Sequence, residues 1–351
     1  MRPRLREVVQ GLIDEGTISS DDAPALRRSL AAAAANDTSA PWYVRLLAAF
    51  GAWVAAGLLL WFLAAAGLFK SGAAALPGGL VLLAAACVAR ARVRNDFAIQ
   101  ATLAIAVAGE ALALFGAEDL WRPTEEHLAL LALALNAAVV VALPDAVGRF
   151  LASAFAVACV VFLVLEHRGI TVELATVGLA AAAVALWAAP VALGGARWHA
   201  IRQPLGVALV AGFLVTCALH LDRSPWRGHS DGAVTSAGMI ALALALTAGL
   251  LREHGIPLRS EAAVVAALAV ALLGAVGWRT PGILGAAMVL ALGYHRREVV
   301  LVGLAVVFFV GFGAWYYYSL QLTLLEKSAV LILSGAVALG ARAYLRRRMP
   351  A

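Results

Sequence analysis

The run FAIQATLAIAVAGEALALFGA carries Glu110, the only acidic residue well inside an apolar stretch of this chain. Counted back from Ala117, it lies roughly 10 Å below one end of its segment at the helical rise per residue. A carboxylate at such a depth in a bilayer costs several kcal/mol, so intramembrane acids face protein or water and mark candidate proton or substrate sites. The next run, HLALLALALNAAVVVAL, holds Asn136, about 13 Å from the same end by the same rise. Across an antiparallel hairpin the two depths nearly match. The spacing therefore predicts a Glu110–Asn136 hydrogen bond, with a protonated carboxyl as one form of the pair. A proton or substrate site at Glu110 is the competing reading.

A second cluster has the letters of a nucleophile. Gly228-His229-Ser230-Asp231-Gly232 matches the G-x-S-x-G pattern, which needs a strand–turn–helix and a histidine close in space. No strand-like stretch precedes it, and the histidine nearest to that role, His220, lies at the same surface. Coincidence explains the match better than hydrolysis does. No P-loop, GxGxxG or HExxH is present. Cys87, Cys159 and Cys217 are odd in number and scattered inside apolar runs, which fits lipid-facing or packing thiols and not a disulfide or metal cluster. The expectation is no enzyme, no cofactor and no metal.

The elements that carry these residues follow from composition. Of 351 residues, 63% are hydrophobic and 14% charged, and the mean hydropathy is +0.89. The apolar runs are roughly 17 to 25 residues long, about the length a helix needs to cross a bilayer. They are Ala- and Leu-rich without alternation, which argues against strands. The fold class is all-α, a polytopic transmembrane helix bundle of about twelve spans with membrane lipid around it. Expected spans are 44–69, 72–89, 97–117, 127–143, 147–166, 170–193, 200–221, 233–251, 259–278, 281–294, 299–318 and 324–345. The second and tenth are short and open near Pro77 and Pro281, so whether 72–89 and 281–294 cross fully is open at this stage.

The basic residues test that count. With a cytoplasmic N-terminus, twenty Lys and Arg fall on the inner side and seven on the outer, the asymmetry that positive-inside sorting expects. Both termini are then cytoplasmic, and the pI near 9.6 reflects loop arginines, not nucleic-acid binding. Trp42, Trp121, Trp198, Trp226, Trp278 and Trp315 suit the interface, whereas Trp53, Trp61 and Trp187 fall inside spans and read as packing residues. Glu173 and Glu261 sit in the first turns of their spans, where the helix dipole favours them and head groups hydrate them. Residues 1–40 carry charges throughout, unlike a signal peptide, and read as a cytoplasmic head of two short amphipathic helices, with residues 41–351 as the transmembrane domain.

Near the end, Tyr317 and Tyr318 precede Glu326, Lys327 and Ser328. A span begun at Leu324 puts Glu326 in a first turn and lets Lys327 reach the head groups, below a belt of Trp315 and Tyr316 to Tyr318. The run Tyr317-Tyr318-Ser319-Leu320, with Thr323-Leu324-Leu325-Glu326-Lys327-Ser328 and Ser334-Gly335, resembles the C-terminal signature of domain-of-unknown-function family 4401, a bacterial membrane family. VRLLAAFGAWVAAGLLLWFLAAAGL is similar to that family's first hydrophobic segment, and LIDEGTIS resembles the opening of the related family 2157. The resemblance implies a polytopic inner-membrane protein, often encoded beside a smaller membrane-anchored protein with a GDYXXLXY motif. It brings no activity. The expected function is a non-enzymatic partner or scaffold in the bacterial inner membrane. The alternative is a transporter or flippase for a small or lipidic solute using Glu110, and the distant one an intramembrane hydrolase.

Overall fold

The computed structural model of the protein describes residues 42–67, 70–93, 96–166, 172–188, 196–219, 233–278 and 280–319, together with positions 328, 332 and 339. Among the described residues there are eleven α-helices and no strand. They are α1 (Trp42–Ala65), α2 (Gly72–Arg92), α3 (Asp96–Trp121), α4 (Glu125–Ala142), α5 (Ala146–Glu166) and α6 (Val172–Ala188). There follow α7 (Ala196–Leu219), α8 (Ala233–Glu253), α9 (Glu261–Val276), α10 (Pro281–His295) and α11 (Val299–Ser319). Each falls on one expected span, within a few residues at the ends. Seven of them, α2 to α5, α7, α8 and α11, are long and apolar enough to cross a membrane, as in a multi-pass membrane protein. The expected head, 1–40, lies outside the described residues. So does the twelfth expected span, apart from Ser328, Ile332 and Leu339, each of which is helical and exposed.

In lipid the backbone must be satisfied within helices or a closed barrel, and these runs lack the alternation of barrel strands. The ends are marked by residue chemistry. Thr124 accepts from the His127 N–H at the start of α4, and Ser260 accepts from the Ala263 N–H at the start of α9. Gly255 takes a positive φ of 68° just after α8, closing its last turn. Pro281 opens α10 at a first-turn position.

Lipid tails are as apolar as leucine, so packing closeness decides which helices associate. The tightest pair is α2 with α3, where glycines face backbone. A Cβ on Gly72 would stand 2.7 Å from the Gly116 carbonyl oxygen, and one on Gly109 would stand 2.7 Å from the Leu83 nitrogen. Around α2 to α5 lies one core, including Leu83, Leu103, Val139 and Leu143. A larger core joins α5 to α8, α10 and α11 through Phe213, Leu214, Met239, Val289 and Leu301. Helix α7 packs against α5, α6, α10 and α11 and is the hub of that second group.

The tenth expected span has an unforeseen position. Its 15 residues reach about 22 Å at the helical rise, less than a hydrocarbon core. Yet most of α10 is buried, from Pro281 through Ala286 and again at Met288, Val289 and Leu292. It is sheathed by protein, and Gly285 lies so close to Met239 and Phe213 that a Cβ would stand 2.7 Å and 3.1 Å from them. The second expected span runs unbroken through Pro77 as the 21-residue α2. The tryptophans inside spans divide: Trp187 is buried, but Trp53 and Trp61 are 42% and 72% exposed. Among the described residues both lie largely uncovered on α1, which rests on α3.

Candidate functional site

Helices α3 and α4 bring the two mid-span polar residues together as their depths require. Asn136 Nδ2 donates to Glu110 Oε1 and also to the carbonyl oxygen of Ala132, 2.9 Å away, one turn back on its own helix. Both side chains are buried, Glu110 at 8% and Asn136 at 1% relative exposure. A crevice of about 10 Å³ adjoins Glu110, walled by Val107, Val139, Leu151, Ala152 and Phe155. That is about the least space that holds one water molecule. The pair is thus a closed contact between α3 and α4 with α5 as its back wall.

A second acid is buried, against expectation. Glu173 is 2% exposed, not hydrated among head groups, and its Oε2 accepts from the Thr235 N–H at 3.1 Å. The expectation failed because first-turn position suggests a surface, whereas here the start of α8 covers the start of α6. A helix N-terminus offers unpaired N–H groups and partial positive charge, and Glu173 meets that of α8. Asp119 does the same for α2, accepting from the Gly72 N–H at 2.6 Å. Glu261, by contrast, is exposed, as its first-turn position suggests.

Arginines answer helix C-termini at the other end. Arg149 donates to the Val140 carbonyl at the end of α4 (3.1 Å) and to the Ala200 carbonyl in α7 (3.2 Å). Arg202 donates to the carbonyls of Leu186 and Trp187 at the end of α6, at 3.1 and 3.2 Å. Arg296 reaches the Ala188 carbonyl at 3.4 Å and Glu253 at 3.1 Å, and His295 lies 2.7 Å from the same carboxylate. Arg90 pairs with Asp145 at 2.7 Å, while Asp145 also accepts from the Gly148 N–H at the start of α5. These bonds tie the ends of α2, α4, α6, α8 and α10 into one polar face. Arg90, Arg149, Arg202 and Arg296, which charge alternation assigns to one side, are the four arginines that make these bonds. Sequence reasoning missed that Arg149, Arg202 and Arg296 reach backbone carbonyls, which carry no letter in the sequence.

Tyr317 and Tyr318 stack edge to face with ring centroids 5.4 Å apart, and Tyr318 is 79% exposed at the end of α11. Glu326 and Lys327 lie outside the described residues, and Ser328 is exposed. Ser230, His220 and the loop around 222–232 also lie outside them. An open hollow of about 360 Å³ at the end of α3 is bordered by Phe115, Glu118, Asp119, Arg122 and Pro123. Among the described residues no group of three His, Cys, Asp or Glu side chains is placed to hold a metal ion. The thiols are free, with Cys217 buried and the other two half-buried.

No curated protein and no solved structure matches this chain. The family described as a domain of unknown function, DUF4401, matches residues 41–348. That covers the transmembrane part from the first expected span through the tyrosine and Glu-Lys-Ser segments. The chain belongs to the DUF4401 family.

Proposed function

We propose that this chain is a non-catalytic multi-pass protein of the bacterial inner membrane that acts as a partner or scaffold for another envelope component. In this reading it has twelve spans, with the arginine-lined face and both termini cytoplasmic. The observation that carries the reading is the closure of Glu110. A transporter using that carboxyl would have to open water and solute access to it. Here Asn136 occupies it and apolar side chains leave about 10 Å³ beside it. What the bundle offers outward is surface, including the exposed aromatic end of α11 at Trp315 and Tyr318. The partner that fits is a smaller membrane-anchored protein of the GDYXXLXY type, as the family resemblance implies.

The test starts from a variant with its three cysteines replaced and Val107→Cys added, since Val107 lines the crevice beside Glu110. A membrane-impermeant thiol reagent should leave it unlabelled in intact membranes, while a control cysteine in the 222–232 loop reacts. Labelling would overturn the closed reading and favour a transporter or flippase using Glu110. In the same membranes, a photo-crosslinking residue at Tyr318 should capture a co-expressed GDYXXLXY-type protein. Crosslinks to lipid alone, there and at Trp315, would count against the partner reading.

A further inference from the structure

Asn136 is half satisfied, and the unsatisfied half has a chemical meaning. Its amide nitrogen donates twice, to Glu110 Oε1 and to the Ala132 carbonyl. Turning the amide over would aim its oxygen at two acceptors, so the hydrogen-bond network fixes the orientation. In that orientation Oδ1 has no hydrogen-bond partner among the described residues, on a side chain only 1% exposed. A buried carbonyl without a donor is costly, and the neighbour that can supply one is Glu110.

The carboxyl has the complementary deficit. As a carboxylate it would present only acceptors and gain a single N–H donor from Asn136. Among the described residues no basic side chain pairs with it. An ionised carboxylate so placed in a span is costly. One proton relieves both deficits, turning the second carboxyl oxygen into an O–H donor and removing the charge.

We propose that Glu110 is a proton-binding site: it holds a proton at neutral pH and donates it in a hydrogen bond to Asn136 Oδ1, so that a neutral, cyclic acid–amide pair joins α3 to α4. The proposal does not depend on the partner reading, because a closed bundle and an opening one can both hold this proton. Release would transfer the proton to an entering water, leaving a carboxylate and an orphaned amide oxygen. The crevice holds at most about one water, so release to bulk requires the helices that wall it, α3, α4 and α5, to part.

The test is infrared spectroscopy of the full-length protein in lipid at about pH 8, where exposed carboxyls are ionised. The wild type should show a protonated-carboxyl C=O stretch, lost in Glu110→Gln and kept in Glu173→Gln. Asn136→Leu should move that band to higher frequency, because the carbonyl loses its N–H donor. Absence of the band from the wild type would overturn the proposal without any variant. Its persistence in Glu110→Gln, or its loss in Glu173→Gln, would assign the proton elsewhere and overturn it equally.

Discussion

Among the described residues two glutamates are removed from water, and their surroundings differ in kind. Glu173 sits at a helix end with a backbone N–H of α8 pointing at it, where a carboxylate would meet the positive end of a dipole. Glu110 sits mid-helix, where backbone N–H groups are already spent on the helix, and meets one side-chain amide. The first environment favours charge and the second favours its removal. Burial alone therefore says little about an intramembrane acid; the donors facing it decide. The rule extends to the opposite face, where Arg149, Arg202 and Arg296 meet the negative ends of α4 and α6 through carbonyl oxygens. Acids at N-termini on one end and arginines at C-termini on the other give the charge asymmetry a local cause, beyond its role in sorting the chain across a membrane.

The sharpest break in the comparison is Glu173→Leu. It removes the Glu173 acceptor of the Thr235 N–H, on a residue with 0% exposure, and takes a carboxyl away from the positive end of α8. The two losses together are expected to cost about 3 kcal/mol. Thermal stability of the solubilised protein should fall clearly, and Glu173→Gln should recover only part of it, since an amide oxygen still accepts but carries no charge. Full recovery in Glu173→Gln would mean that charge does not matter at that site.

Asn136→Leu comes next, with an expected loss of about 2 kcal/mol, because Glu110 keeps its polarity and loses its donor. The double variant Glu110→Leu with Asn136→Leu should be more stable than Asn136→Leu alone, since apolar replacement of both partners removes the unmet groups. If the double variant is the less stable one, Glu110 has a partner besides Asn136 and the closed pair is the wrong picture.

How these sites showed themselves in the sequence follows the same division. The Glu110–Asn136 contact was legible because both partners are side chains in adjacent runs, and depth can be counted along each. The apolar runs likewise marked where all eleven described helices fall. Glu173 was misjudged because its donor is a backbone N–H 62 positions away, and a first-turn glutamate reads identically whether lipid head groups or another helix covers it. The centrality of α10 was hidden for a related reason. A 15-residue run opened by Pro281-Gly282 reads as a weak span, while its value lies in glycines that admit Met239, Phe213 and Phe312 from neighbouring helices. Trp53 and Trp61 failed the other way, since nothing in a single apolar run says which face a neighbour will cover.

The smallest expected effect is the most informative. Glu110→Gln replaces a protonated acid with a side chain of nearly the same shape, whose oxygen can accept from Asn136 Nδ2 and whose nitrogen can donate to Oδ1. If Glu110 is neutral, the exchange keeps every hydrogen bond and should change stability by no more than about 0.5 kcal/mol. If Glu110 is ionised, the exchange removes a buried charge, and stability should rise by more than that, because desolvating a carboxylate is the costlier state. A clear loss fits neither form and would show that the carboxyl makes a contact an amide cannot. Measured beside Glu173→Gln, which should be destabilised, the sign of this one change separates a carboxyl held by a dipole from one held by its own proton.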